Sequence, residues 1–396
     1  MGYSQTRSLA FILGTAAILP SFAHAQWSVT ILHPAGTTRS FLEASTGTQH
    51  AGSVVASGVT RAALWNGTSN TRVDLHPASA TESYANAASG SRQAGYVRFG
   101  GTPRAALWSG SAASFVNLHP STGTESIVLG MSAVQQVGWN RVGGIRRATL
   151  WSGSAASATS LHPSFATDSV AHDSTGTQQV GHATLSGIRQ ALLWSSSPTA
   201  PTVLHPAGAS ESAAYAAVAS QQVGYARFGF VNAAVLWSGS SLSVVNLNPP
   251  LSLESAAYDT DGTRQFGYAF FGTSARASLW SGSAQSWFDL SALLPNPSVW
   301  GDTFARSIHT DGNTTHITGY GYNGATNRYE ALLWTWTRCP ADFDNDGFAD
   351  LFDFDAFVAC FEGDTCPPGS TADFDRDGFV DLFDFDAFIA AFEQGC

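Results

Sequence analysis

The chain contains no lysine: all 18 of its basic residues are arginine, and only 12% of its 396 residues are charged, against roughly a quarter in an ordinary soluble domain. With no Lys and a formal net charge of -11, it lacks the basic surface that grips nucleic acid or an anionic membrane by charge. Long apolar runs are missing too. Beyond the first 25 residues nothing approaches the ~18 consecutive apolar positions of a membrane span. Cysteine is absent from the first 338 residues, and all four (Cys339, Cys360, Cys366, Cys396) fall in the rest. The negative charge shares that location: residues 339–396 hold 15 Asp/Glu and one Arg, whereas residues 26–338 hold 14 Asp/Glu and 16 Arg. A nearly neutral body precedes a short acidic tail.

Residues 1–25 place Arg7 ahead of an apolar stretch from Leu9 to Leu19, and Ala23-His24-Ala25 fits a small-x-small cleavage site. The pattern predicts a signal peptide. The protein is then exported (extracellular, at the cell surface or periplasmic), with no membrane span after cleavage. An even cysteine count in that compartment predicts two disulfides.

The body, residues 26–338, is a repeat. Trp65, Trp108, Trp151, Trp194, Trp237 and Trp280 recur every 43 residues, and Trp334 follows after 54. Gly52, Gly95, Gly138, Gly181, Gly224 and Gly267 keep the same spacing, with Gly319 seventh. His33, His76, His119, His162 and His205 do likewise, with Asn248 and Ser291 in the last two places. Each unit alternates in short stretches broken by Ser/Gly/Asn/Asp turns, which predicts four strands, the size of one propeller blade. Trp27–His33 matches the fourth strand of a unit, and the last unit stops after its third. The N-terminal strand is therefore expected to complete the last blade and remove the open sheet edges. The fold predicted is all-β: a seven-bladed β-propeller closed by its own N-terminus, behaving as a monomer.

Gln222-Val223-Gly224-Tyr225 and Ala234-Val235-Leu236-Trp237, with equivalents in the other units, resemble the extracellular HAF-type repeat proteins. That resemblance implies an exported repeat protein and carries no chemistry. The recurring His, and the acids Glu82, Glu125, Asp168, Glu211 and Glu254 that follow it, admit two readings. One is a ring of metal or ligand contacts on one face. The other is local hydrogen bonding that pins each loop against the core Trp, as WD-repeat propellers do with a loop His and a strand Trp. Equivalent residues on different blades lie too far apart for one ion, which favours the structural role. Departures from the repeat matter more. His182 replaces the Tyr or Trp that follows the marker Gly in five units (Tyr96, Trp139, Tyr225, Tyr268, Tyr320), and His172, followed by Asp173, stands where other units have Asn86, Leu129, Tyr215 or Tyr258. His172, Asp173 and His182 are thus a candidate ligand site on adjacent strands. Asp259-Thr260-Asp261-Gly262 and Asp311-Gly312 read as hairpin turn chemistry. No catalytic residue is assigned.

The tail, residues 339–396, duplicates one segment at an offset of 31. Asp342, Asp344, Asp346, Asp350 and Asp353 occupy positions 1, 3, 5, 9 and 12 of a twelve-residue loop, with Gly at 6 and the Phe348 carbonyl available at 7. Asp373, Asp375, Asp377, Asp381 and Asp384, with Phe379, repeat the set. Hard oxygen donors at that spacing around a turning Gly predict two Ca²⁺ ions. An apolar helix follows each loop, with Phe354, Phe357, Val358 and Phe361 on one face and Phe385, Phe388, Ile389 and Phe392 repeating the pattern. Asp at position 12, the lack of an entering helix, the repeated Phe-Asp-Phe-Asp-Ala-Phe and the terminal Gly395-Cys396 resemble the GC-type dockerin domains of exported bacterial proteins.

The resemblance implies docking onto a cohesin-like or other surface-anchoring protein. Leu351, Phe352, Leu382 and Phe383 stand at the loop positions that dockerins use for partner choice, in place of their usual Ser/Thr. A two-fold dockerin-like module brings its termini together, implying Cys339–Cys396 and Cys360–Cys366 pairs; a modified Cys396 is the alternative. Two functions follow. The first is a non-enzymatic propeller displayed through a calcium-dependent dock. The second is a polysaccharide-active enzyme (glycoside hydrolase or lyase) or carbohydrate-binding protein carried by the same dock.

Overall fold

A computed structural model describes residues 27–195, 200–311, 314–344, 349–367 and 370–394. The expected signal peptide lies outside them. Residues Trp27–Thr337 form one compact unit, and residues from Arg338 onward belong to another.

The first unit is a seven-bladed β-propeller. Its strands make seven antiparallel four-stranded sheets, six of them in simple meander order. Blade 4, for example, runs Ala166–Ser174, Gln179–Leu185, Ile188–Trp194 and Thr202–Val203. The outermost strand of blades 1–6 is only two residues long. In blade 7 that place is taken by Trp27–Ile31, which pairs with Arg328–Thr337 in the register Trp27 opposite Trp336 and Ile31 opposite Leu332. The ring is closed by the chain's own beginning, as the complementary ends require.

Each repeat marker has a distinct job. The seven Trp are all fully buried and anchor the apolar layers between blades. Each marker Gly faces the innermost strand of its blade where that strand carries a β-bulge. A Cβ on any of the seven would stand 1.9–2.0 Å from a carbonyl oxygen of that strand, so no side chain fits. The bulge and the glycine are one device.

The recurring His is structural, although not through Trp. In five blades its Nδ1 lies 2.7–2.8 Å from the Oγ of the Ser seven residues on. That Oγ accepts a backbone N–H from the preceding blade at 2.8–2.9 Å. In four of the five blades, His Nε2 meets a loop carbonyl four residues on, at 3.0–3.2 Å. A carbonyl only accepts, so Nε2 carries the proton, Nδ1 accepts from the hydroxyl and the imidazole is neutral. Burial holds these five His below their ordinary value. Asn248 reproduces the relay in blade 6, taking the Ser255 hydroxyl on Oδ1 at 2.6 Å, and Ser291 meets Thr303 in blade 7. The Trp play no part: Trp194 and Trp334 donate to the Leu161 and Leu290 carbonyls instead.

The second unit contains α1 (Leu351–Phe361) and α2 (Leu382–Gln394). Phe357 and Phe388, at equivalent places, are fully buried and stack at 4.1 Å and 9°. Phe343 and Phe374, also equivalent, each set an edge against both rings at 5.2–5.9 Å. The internal duplication thus becomes a two-fold aromatic core. Cys360 and Cys366 form a disulfide. Cys339 is also disulfide-bonded, and Cys396, its expected partner, lies outside the described residues. No helix among the described residues is long and apolar enough to cross a membrane.

Candidate functional site

The bulges define the propeller's central channel. The extra residue of each innermost strand falls at one repeat-equivalent position: Glu43, Asn86 and Leu129 in blades 1–3, His172, Tyr215 and Tyr258 in blades 4–6, and Arg306 in blade 7. A bulge re-aims its residue, and all seven line a cavity of about 600 Å³. While Trp, Gly and Ser repeat around the ring, this position differs in almost every blade.

Blades 4–7 and 1 carry the aromatic and ionisable members, and Asn86 of blade 2 donates to the Val128 carbonyl at 2.8 Å. His172 Nε2 lies 3.0 Å from His182 Nδ1, and the His172 ring stands edge-on to Tyr215 at 5.0 Å. Tyr215 continues to Tyr258 at 5.5 Å, and Tyr258 to Tyr268 at 5.7 Å. Phe304 and Tyr320 extend the series. Arg306 lies over the Tyr258 ring at 4.2 Å and donates to Glu43 at 2.8 Å. Burial, with Arg189, Arg146 and Arg306 nearby, pushes His172 down to about 3, and burial with His172 beside it lowers His182. Both imidazoles are neutral.

The expected trio is therefore split. His172 and His182 meet, whereas Asp173 accepts the Ala217 N–H of blade 5 at 3.1 Å. Its counterpart in blade 6, Asp259, accepts the Ile308 N–H of blade 7 at 2.8 Å. Asp259 thus belongs to a strand, Glu254–Thr260, and is no turn residue; Asp261 alone does that work, accepting the Thr263 and Arg264 N–H groups. Burial pushes Asp173 up to about 6 and, with Asp173 as a neighbour, Asp259 to about 7. The other recurring acids are committed to partners: Glu82, Glu125, Asp168 and Glu211 pair with Arg98, Arg141, Arg146 and Arg227 at 2.8–3.1 Å, and Glu254 takes the Tyr268 hydroxyl.

The second site is the pair of acidic loops. Asp342, Asp344 and Asp353 bring one carboxylate oxygen each within 4.8 Å of one another, and so do Asp373, Asp375 and Asp377. Either triad could hold a metal ion. Asp346 and Phe348 lie outside the described residues. Asp350 and Asp381 cap the helices, accepting the Phe352 and Phe383 N–H groups at 2.8 Å. Asp353 accepts the Asp344 and Asp350 N–H groups at 3.0 and 2.8 Å. Burial, with Asp344 and Asp342 adding to it, still pushes Asp353 up to about 6. Asp384 takes three backbone N–H groups, of Phe374, Asp375 and Asp381, so it organises the second loop and stands outside that triad. Asp373 Oδ1 is enclosed with no hydrogen-bond partner, the condition that a cation relieves. The Phe379 side chain is exposed, and its N–H donates to Asp377 at 2.9 Å.

Leu351, Phe352, Leu382 and Phe383 are 70–73% exposed on the first turns of the two helices. The sequence reading places them at loop positions 10 and 11; the fold sets them on the first helical turns, exposed.

No protein-family model matches the chain, and no curated protein matches it in sequence. Solved structures do. Acylaminoacyl peptidase from Pyrococcus horikoshii superposes with a TM-score of 0.50 at 12% identity, over 74% of this chain and 51% of that one. An oligogalacturonate lyase from Vibrio parahaemolyticus gives 0.49 at 10% identity, over 79% and 94%. TolB from Acinetobacter baumannii gives 0.44 at 11%, over 63% and 62%. The chain thus spans about half of the peptidase and under two thirds of TolB. At such identities the likeness is one of propeller fold, which hosts enzymes and non-enzymes alike.

Proposed function

We propose that the C-terminal unit is a calcium-loaded, dockerin-like module that fixes an exported, non-enzymatic propeller to a cohesin-like or other surface-anchoring protein. One observation carries this reading: the duplicated Leu-Phe pair, four large apolar side chains left in water directly beside the two acidic clusters. Exposed apolar side chains of that size mark interaction sites. Asp342, Asp344 and Asp353 would hold one ion and Asp373, Asp375 and Asp377 the other. A bound Ca²⁺ supplies positive charge that offsets carboxylate repulsion, and its binding energy becomes folding energy of the loops. Asp350 and Asp381, as caps, set the first helical turns, and those turns present the Leu-Phe pairs. Docking and ion binding are coupled in the first loop through Asp350, whose N–H donates to the proposed ion ligand Asp353.

The non-enzymatic part rests on the carboxylates of the body. Glycosidic hydrolysis needs two acids facing each other across a cleft, about 5–9.5 Å apart. Here Asp173 and Asp259 are tied to backbone amides, and Glu43 to Arg306. Calorimetry on the full chain should count two Ca²⁺ sites. Binding to immobilised cohesin modules should vanish on chelation, and also in the fourfold L351S/F352S/L382S/F383S variant, which keeps its calcium sites. Undiminished binding after chelation would reject the coupling.

A further inference from the structure

We propose that the propeller channel binds a neutral saccharide, seated on Tyr215 and Tyr258 and hydrogen-bonded by Glu43, Arg306 and His172. The proposal stands apart from the docking module. The cavity, about 600 Å³, has the size of a small-ligand site, and its wall changes chemistry from blade to blade where the scaffold around it repeats. Seven bulges aim six different kinds of side chain inward, a cost in ladder hydrogen bonds that a plain spacer would not need.

Charge selects the ligand class. Among the charged side chains that line the cavity, Arg306 and Glu43 neutralise each other at 2.8 Å, and Asp173 and Asp259 each spend a carboxylate oxygen on a backbone N–H of the next blade. The paired imidazoles are neutral. A charged ligand would have to break the Arg306–Glu43 pair, whereas a hydroxylated one uses the remaining donors and acceptors of both groups at once.

Geometry selects further. The Arg306 guanidinium, the Tyr258 ring and the Tyr215 ring form one connected platform. Aromatic rings with polar tips suit a ligand that has C–H faces and hydroxyl edges. The Tyr215 hydroxyl and His172 Nδ1 have no hydrogen-bond partner among the described residues. In the neutral pair, His172 Nδ1 is an acceptor when Nε2 carries the ring proton and a donor in the other tautomer. A sugar hydroxyl, which both donates and accepts, matches either state. Leu129 is the one aliphatic member of the bulge ring.

The test is calorimetry of the full, calcium-loaded chain against cello-, xylo-, malto- and laminari-hexaose, with hexagalacturonate as the charged comparator. At least one neutral hexaose should bind, with affinity reduced tenfold or more in Tyr258→Ala and in Arg306→Met. Tyr215→Phe, which removes only a hydroxyl, should weaken binding several-fold while leaving the melting temperature unchanged. Leu253→Ser, at an exposed site outside the channel lining, should bind as the parent does. Absence of binding to every neutral hexaose, preference for hexagalacturonate, or affinity unaffected by Tyr215→Phe and Tyr258→Ala would each overturn the proposal.

Discussion

Propeller blades are joined by uncharged relays, in five of the seven a backbone amide, a serine and an imidazole, beside a buried Trp, whereas the C-terminal unit crowds carboxylates around two helix N-termini over a core of phenylalanines. The difference lies in what each can do without help. Seven small cores, a closed ring and no exposed central edge make the propeller self-sufficient. The C-terminal unit has fewer than 60 residues, a size at which a core alone is marginal, and its acids repel one another. A cross-link and bound ions are the usual remedies at that size; the Cys360–Cys366 bond is present and the two triads are placed for the other.

The largest test removes the propeller's closure. A chain starting at residue 33 lacks Trp27–Ile31, leaves the Arg328–Thr337 edge unpaired and exposes part of the blade 7 core. It should lose cooperative unfolding and associate, read by light scattering and thermal melts. A monomer with the parent's melting temperature would show that closure is dispensable. Chelation should do the converse. Helical ellipticity should fall as the two acidic loops loosen, and the propeller transition should stay within about 2 °C, since nothing in its relays uses an ion.

Two smaller substitutions sharpen the comparison inside the propeller. Gly224→Ala drives a Cβ to 2.0 Å from the Ala213 carbonyl oxygen, and should cost about 3 kcal/mol or more in denaturant unfolding. Asp259→Asn tests a buried carboxylate that has no cation partner among the described residues and is held by backbone amides. Burial raises the Asp259 carboxyl to about 7, so the folded state holds its proton more tightly than the unfolded state. Its contribution is full near pH 4 and is lost as pH rises through about 7. The variant, whose amide oxygen can still accept the Ile308 N–H, should therefore gain on the parent by ~1–3 kcal/mol between pH 5 and pH 8. A constant difference across that range would mean that Asp259 ionises freely.

Much of this was legible beforehand because the chain repeats itself. Trp, Gly and His at one spacing gave the blade count, and the mismatch between first and last strands gave the closure. The identity of the His partner was not legible. The Ser seven residues on is present in the sequence, but only the turn of the loop brings it to Nδ1 while turning its lone pair to another blade. Asp259 was misplaced because Asp-x-Asp-Gly resembles a turn, and only the register with Gln265–Phe271 starts the turn after Thr260. Asp173 was grouped with His172 by adjacency; its amide partner, Ala217, lies 44 residues away. The channel ring has a signal in the sequence: one position varies in nearly every unit while the marker Trp and Gly stay fixed.

Periodicity and donor spacing are local properties, so the order of residues alone determined a seven-unit ring closed by its first strand and two duplicated acidic loops, each ahead of an apolar helix. Which side chains share the channel, and which apolar groups of the helices stay in water, was decided only by tertiary structure. Those facts depend on where separate blades and helices converge, and no stretch of chain encodes that distance by itself.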